Sequence, residues 1–128
     1  MSEPIAFISH FTVKEGRLEG LRELARSVTR GIENERPRTL AYLGYLGDGG
    51  TTATFVHVFG DAESMNAHFE GSGERSTLAY EVMDPAGWEI YGAPDEATVE
   101  SMKQAASSAG VALTVEPNFL AGFLRLGR

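Results

Sequence analysis

Residues 54–69 read TFVHVFGDAESMNAHF, and the spacing of the apolar positions changes halfway along. In the first half, two-residue alternation puts Phe55, His57 and Phe59 on one face of a strand and Thr54, Val56 and Val58 on the other. Both faces carry apolar groups, so both are expected to be covered. Gly60-Asp61 ends the strand, and Asp61 suits the N-cap of the next element. In the second half Met65, His68 and Phe69 lie three and four residues apart, on one face of a helix. A helix folding back on this strand would bring His57 and His68 towards a common interior.

Upstream, Pro4 to Val13 alternates Phe7, Ser9, Phe11 and Val13 with Ala6, Ile8, His10 and Thr12, a first strand. Lys14-Glu15-Gly16 turns the chain into a long helix from about Arg17 to Glu35. Its stripe is Leu18, Leu21, Ala25, Val28 and Ile32, and Arg36-Pro37 ends it. Thr39 to Gly47 reads as a second strand, with Leu40, Tyr42, Gly44 and Leu46 against Ala41, Leu43 and Tyr45. Asp48-Gly49-Gly50 then joins it to the third strand as a hairpin.

Downstream, Gly71-Ser72-Gly73 interrupts the helix as a left-handed cap would. Glu74 to Met83 resumes helix until Asp84-Pro85-Ala86-Gly87 stops it. Trp88 to Gly92 reads as a short strand. Pro94 opens a further helix, whose first turn has Asp95 and Glu96 at its positive end. Val99, Met102, Ala106 and Ala109 give it a stripe, and Gly110 closes it. Val111 to Val115 is a strand, Glu116-Pro117-Asn118 a turn, and Phe119 to Leu126 a last strand or extended tail.

The order strand, helix, strand, strand, helix, strand is the βαββαβ ferredoxin-like plan, an α+β fold with an antiparallel sheet. One domain is expected over 1–128, with a core at about 4–92 and a C-terminal extension over 93–128. Such a sheet carries its helices on one face. Its other face would expose either the Phe55, His57, Phe59 row or the row between, which a monomer rarely does. A second copy of the chain is the simplest cover, so a homodimer is expected.

With 128 residues, the chain is long enough to bury a core without disulfides or a metal staple. The absence of cysteine removes thiol nucleophiles and Cys-based zinc or iron–sulfur sites. A net charge of −7 disfavours nucleic acid, whose phosphates need clustered Lys and Arg. No basic segment followed by an apolar run opens the chain, and no apolar run is long enough for a bilayer, so a cytoplasmic protein with no membrane partner is expected. The three histidines lack metal-ligand spacing, and there is no nucleophile elbow, phosphate loop or dinucleotide fingerprint. No metal or cofactor is expected on these grounds.

Taken together, several segments resemble the antibiotic biosynthesis monooxygenase-like proteins of the dimeric α/β-barrel superfamily. They are Val13-Lys14-Glu15-Gly16 at the end of the first strand, the long helix, Leu40-Ala41-Tyr42, and above all residues 59–68, FGDAESMNAH. Residues 4–70 carry the resemblance. The family's strand-end aromatic, often tryptophan, is here Phe59. Its haem-degrading members have an axial histidine beyond the position of His68. Here residues 75–81 contain none, which speaks against haem degradation.

The resemblance implies a homodimer and a cofactor-independent monooxygenase acting on a small aromatic or quinol-type substrate. An electron-rich substrate, once deprotonated, reduces dioxygen itself, and the protein supplies a dry apolar cavity, a base and orientation. His68 and His57 are then the implied catalytic residues, since imidazole titrates near neutral pH. Phe7, Ser9, Tyr45, Phe55, Phe59, Phe69 and Trp88 are the implied substrate contacts. The same residues also suit a packed core. Alternatives are a non-catalytic dimeric barrel that binds a small apolar ligand or serves in a stress response, or another enzyme on the same fold, such as an isomerase or decarboxylase.

Overall fold

The computed structural model describes residues 3–125. Five strands form one sheet in the order β2-β3-β1-β4-β5, where β1 is Ile5–Val13, β2 Thr39–Leu46, β3 Thr52–Phe59, β4 Met83–Tyr91 and β5 Leu113–Glu116. Four helices are α1 (Leu18–Glu35), α2 (Ala62–Phe69), α3 (Ser72–Ala79) and α4 (Glu96–Ala109). The first four strands pair antiparallel in the ferredoxin-like order. The sheet is not wholly antiparallel as expected, because β5 pairs parallel to β4. The crossover through α4 imposes this, since a strand returning after a helix enters alongside its predecessor.

Local chemistry explains the ends of the elements. Asp61 caps α2 by accepting from the backbone N–H of Ser64 at 2.8 Å and from its hydroxyl at 2.6 Å. Gly71, at φ +72°, takes the left-handed turn between α2 and α3, where a side chain would be strained. Gly110 does the same after α4. The Asp48–Gly50 connection is a turn of 3-10 helix, and it joins β2 to β3 as a hairpin.

Three boundaries differ from expectation. α3 spans Ser72–Ala79 and does not reach Met83. β4 begins at Met83 rather than Trp88, so Asp84-Pro85-Ala86-Gly87 lies inside a strand rather than ending a helix. A bulge makes this possible: His10 pairs with Gly87 and Phe11 with Pro85, leaving Ala86 unmatched. Residues 117–125 form neither strand nor helix, and Leu126 lies outside the described residues.

The sheet separates two environments. Ile5, Phe7, Phe11, Phe55, Phe59, Trp88 and Ile90 point to the helices and are buried. The opposite rows run through Ala6, Ile8, His10, Thr54, Val56 and Val58, all partly exposed. Beside them Leu43 is 46% and Tyr45 58% exposed. Among the described residues no helix is long and apolar enough to cross a membrane.

Candidate functional site

Between the sheet and the helices lies a cavity of about 330 Å³. Its floor is the inner face of β1 and β3, with Phe7, Ser9, Phe11, Phe55 and His57. The apolar stripe of α1 forms one wall through Leu21, Ala25, Val28 and Ile32. The apolar stripe thus faces the cavity, with Leu21 and Ile32 buried. Phe69, Met83, Trp88 and Met102 close the remaining sides.

His57 and His68 meet at one end, with ring centroids 5.1 Å apart. His57 Nδ1 lies 3.0 Å from the Phe7 carbonyl oxygen. A carbonyl only accepts, so Nδ1 carries the proton and Nε2 presents a lone pair. His68 Nδ1 lies 2.8 Å from the Thr39 hydroxyl. Burial lowers the His57 pKa to about 4, against a hydrogen bond to Phe7 that favours the charged form. Burial, then the charges of His57, Arg75 and Arg36, lower that of His68 to about 3. Both imidazoles are therefore neutral at pH 7.

Two further polar groups share this end, and both escaped the sequence reading. Tyr42 on β2 packs against His57 with centroids 5.0 Å apart and lines the cavity. Burial raises its hydroxyl pKa to about 12, although Arg75 opposes the rise. Arg75 on α3 also lines the cavity, and its Nη2 donates to the His68 carbonyl at 2.5 Å.

Phe7, Ser9, Phe55, Phe69 and Trp88 all line the cavity with the two histidines. Phe59 does not line it. It is fully buried behind the site, 5.1 Å from His68 and 6.2 Å from His57 between centroids. Tyr45 is not brought to the site. It pairs with Thr54 on the outer face, and Tyr42 takes the inner position by pairing with His57. The two tyrosines are three residues apart on a strand, so only one can face inwards. His10 also lies on the outer face, where its Nε2 bonds Glu89 and its Nδ1 lies 3.2 Å from the Thr54 hydroxyl.

Two bulges aim side chains into the site. In β2, Thr39 pairs with Phe59 and Ala41 with Val58, so Leu40 is the extra residue and Thr39 shares the face of Phe59. Without it, Thr39 would face outwards with Ala41 and miss His68. In β4, the extra residue puts Met83 and Trp88 on the same face although they are five apart. Nothing in the local residue pattern marks Leu40 as a bulge. Pro85 and Gly87 are a legible signal for the second.

Among the described residues no His, Asp and Glu side chains gather in a group of three fit to hold a metal ion. The site is an aromatic-walled chamber whose polar end combines two lone-pair-bearing imidazoles, a phenol and a guanidinium. That combination can accept a proton and stabilise an anion.

The fold is that of the antibiotic biosynthesis monooxygenase-like proteins. MupZ from Pseudomonas fluorescens superposes with a TM-score of 0.74 over 97% of this chain and 96% of its own, at 15% identity. That likeness includes nearly all of the C-terminal extension. SnoaB, a cofactor-independent oxygenase from Streptomyces nogalater, gives 0.61 over 73% of this chain and 96% of its own, at 12% identity. A candidate antibiotic biosynthesis monooxygenase from Caulobacter crescentus gives 0.59 over 70% and 88%, at 11% identity. At the level of sequence, no protein-family model matches the chain and no curated protein matches it.

Proposed function

We propose that this chain is a cytoplasmic, cofactor-independent monooxygenase that oxidises a small aromatic or quinol-type substrate in the cavity. The observation that carries the proposal is the meeting of two neutral histidines at the polar end of an apolar chamber. The likeness to SnoaB supports the reading by fold alone.

The chemistry follows from the substrate's own electrons. A phenol with a reactive ring CH2 gives electrons to dioxygen and becomes far more acidic as it does so. His68, the proposed proton acceptor, is a weak base at a pKa of about 3. It takes a hydrogen bond from the substrate hydroxyl first, and the proton as charge leaves the ring. In net terms the CH2 becomes a carbonyl. One oxygen atom enters the product, and the other leaves as water with the two hydrogens. His57 Nε2, held as an acceptor by the Phe7 bond, offers a second lone pair at this end for another O–H of the substrate. Phe7, Ser9, Phe55, Phe69 and Trp88 hold the substrate and exclude water.

The working unit in this proposal is a homodimer. Ile8, Val56, Val58, Leu43 and Tyr45 form an apolar outer face of the sheet, and a second sheet laid against it would close a barrel.

Oxygen uptake with a panel of polycyclic phenols that carry a ring CH2, with hydroquinones as the comparison and a chelator present, tests the function. The expected result is uptake that depends on the protein, survives the chelator and falls by about 100-fold or more in His68→Ala, in line with the usual contribution of acid–base catalysis. Full activity in His68→Ala sinks the assignment of that residue. Absence of uptake across the panel removes support for oxygenation itself.

A further inference from the structure

The cavity wall is mostly apolar, yet it carries one formal charge. Among the described residues, Arg75 is the sole Asp, Glu, Lys or Arg side chain lining it. Among the described residues, no carboxylate lies within ion-pair distance of its guanidinium. One of its five N–H donors is committed to the His68 carbonyl, which anchors the head group at the histidine end. Tyr42, His57 and His68 line the same cavity, so the guanidinium shares the polar end with all three. Glu35 attracts it electrostatically and Arg36 repels it, leaving it without a committed counter-ion.

A partly buried guanidinium with no paired carboxylate, looking onto an apolar chamber, gains most from a ligand that supplies the opposite charge. We infer that the ligand supplies it: the cavity takes an aromatic or otherwise apolar body bearing a carboxylate, which docks on Arg75 while the body lies along Phe7, Phe55 and the stripe of α1. A guanidinium fork matches the two oxygens of a carboxylate, whereas a lysine would present only a point charge. Tyr42 reinforces the match, because its hydroxyl keeps its proton and donates. This deepens the proposed function by naming the substrate class, and it rests on the same cavity.

The test is equilibrium binding without oxygen, comparing 2-naphthoate with its neutral isostere 2-naphthamide by calorimetry. A charge-assisted pair predicts that naphthoate binds the wild-type chain about tenfold or more tightly. In Arg75→Gln the preference disappears while naphthamide affinity is kept. In Arg75→Lys it shrinks to a few-fold. Equal binding of the two probes by the wild type overturns the inference, as does failure of both to bind at about 1 mM. A preference that survives Arg75→Gln overturns it too. Should Arg75→Gln not fold, Arg75→Lys decides: a reduced preference supports the inference and an unchanged one overturns it. No turnover enters this assay. A missing oxygenase activity would leave the naphthoate preference standing, and a missing preference would leave oxygen uptake to be judged alone.

Discussion

Replacing His57 by asparagine should remove much of this protein's loss of stability in mild acid. Burial lowers the His57 pKa from 6.5 to about 4 in the folded chain, whereas the unfolded chain titrates near the ordinary value. Between these values the unfolded state binds the extra proton, so stability falls as pH falls. Above about pH 6.5 the imidazole is neutral in both states, and the contribution is fully present. Protonation at about 4 rather than 6.5 costs about 3 kcal/mol in full, at about 1.36 kcal/mol per factor of ten. About 2 kcal/mol of this is lost by pH 5, where carboxylates are still mostly ionised. Asparagine keeps a donor for the Phe7 carbonyl and cannot titrate. Urea denaturation of both proteins at pH 7.5 and pH 5 is the assay. The His57→Asn variant should be the less stable at pH 7.5 by about 1–3 kcal/mol, because ring contacts to Phe7, Tyr42 and His68 are lost. At pH 5 the gap should close by about 2 kcal/mol. A gap that does not change with pH refutes the claim that His57 is held neutral by burial. His68 titrates in the same window, so wild-type stability should fall by more than the His57 share.

Asp61→Ala removes the acceptor for the Ser64 N–H and hydroxyl and loosens the start of α2, at a cost of about 1 kcal/mol by thermal or chemical unfolding. Val56→Glu places a charge at the centre of the outer sheet face, at the position that pairs with Ile8 and Leu43. Sedimentation should show a dimer for the wild type and a monomer for this variant, with the fold retained in circular dichroism. A dimer that tolerates the glutamate would mean the copies meet elsewhere.

The elements themselves were legible because their signals are local. Alternation at residues 54–59, the Asp61 cap, the α1 stripe and the glycines at 71 and 110 each reflect interactions within a few residues. The four-stranded core follows from their order. His57 and His68 were legible as partners because a strand and the helix after it must pack together. Arg75 and Tyr42 were not. Arg75 lies in a weakly patterned stretch that reads only as resumed helix, with nothing local to aim it at a cavity. Choosing Tyr42 over Tyr45 depends on which face of β2 turns inwards, and alternation leaves that open when both rows are apolar.

By itself, then, the chain's pattern determined the kind and order of its elements, since propensity, capping and periodicity act over one or two turns. Tertiary structure decided which residues share the cavity. It did so through the bulges at Leu40 and Ala86, which reverse the facing of Thr39 and Met83. It also set β5 parallel beside β4 and brought α3 over the histidines, carrying Arg75 with it. A one-residue slip in strand register exchanges inside for outside, and that choice is made by packing across the whole sheet.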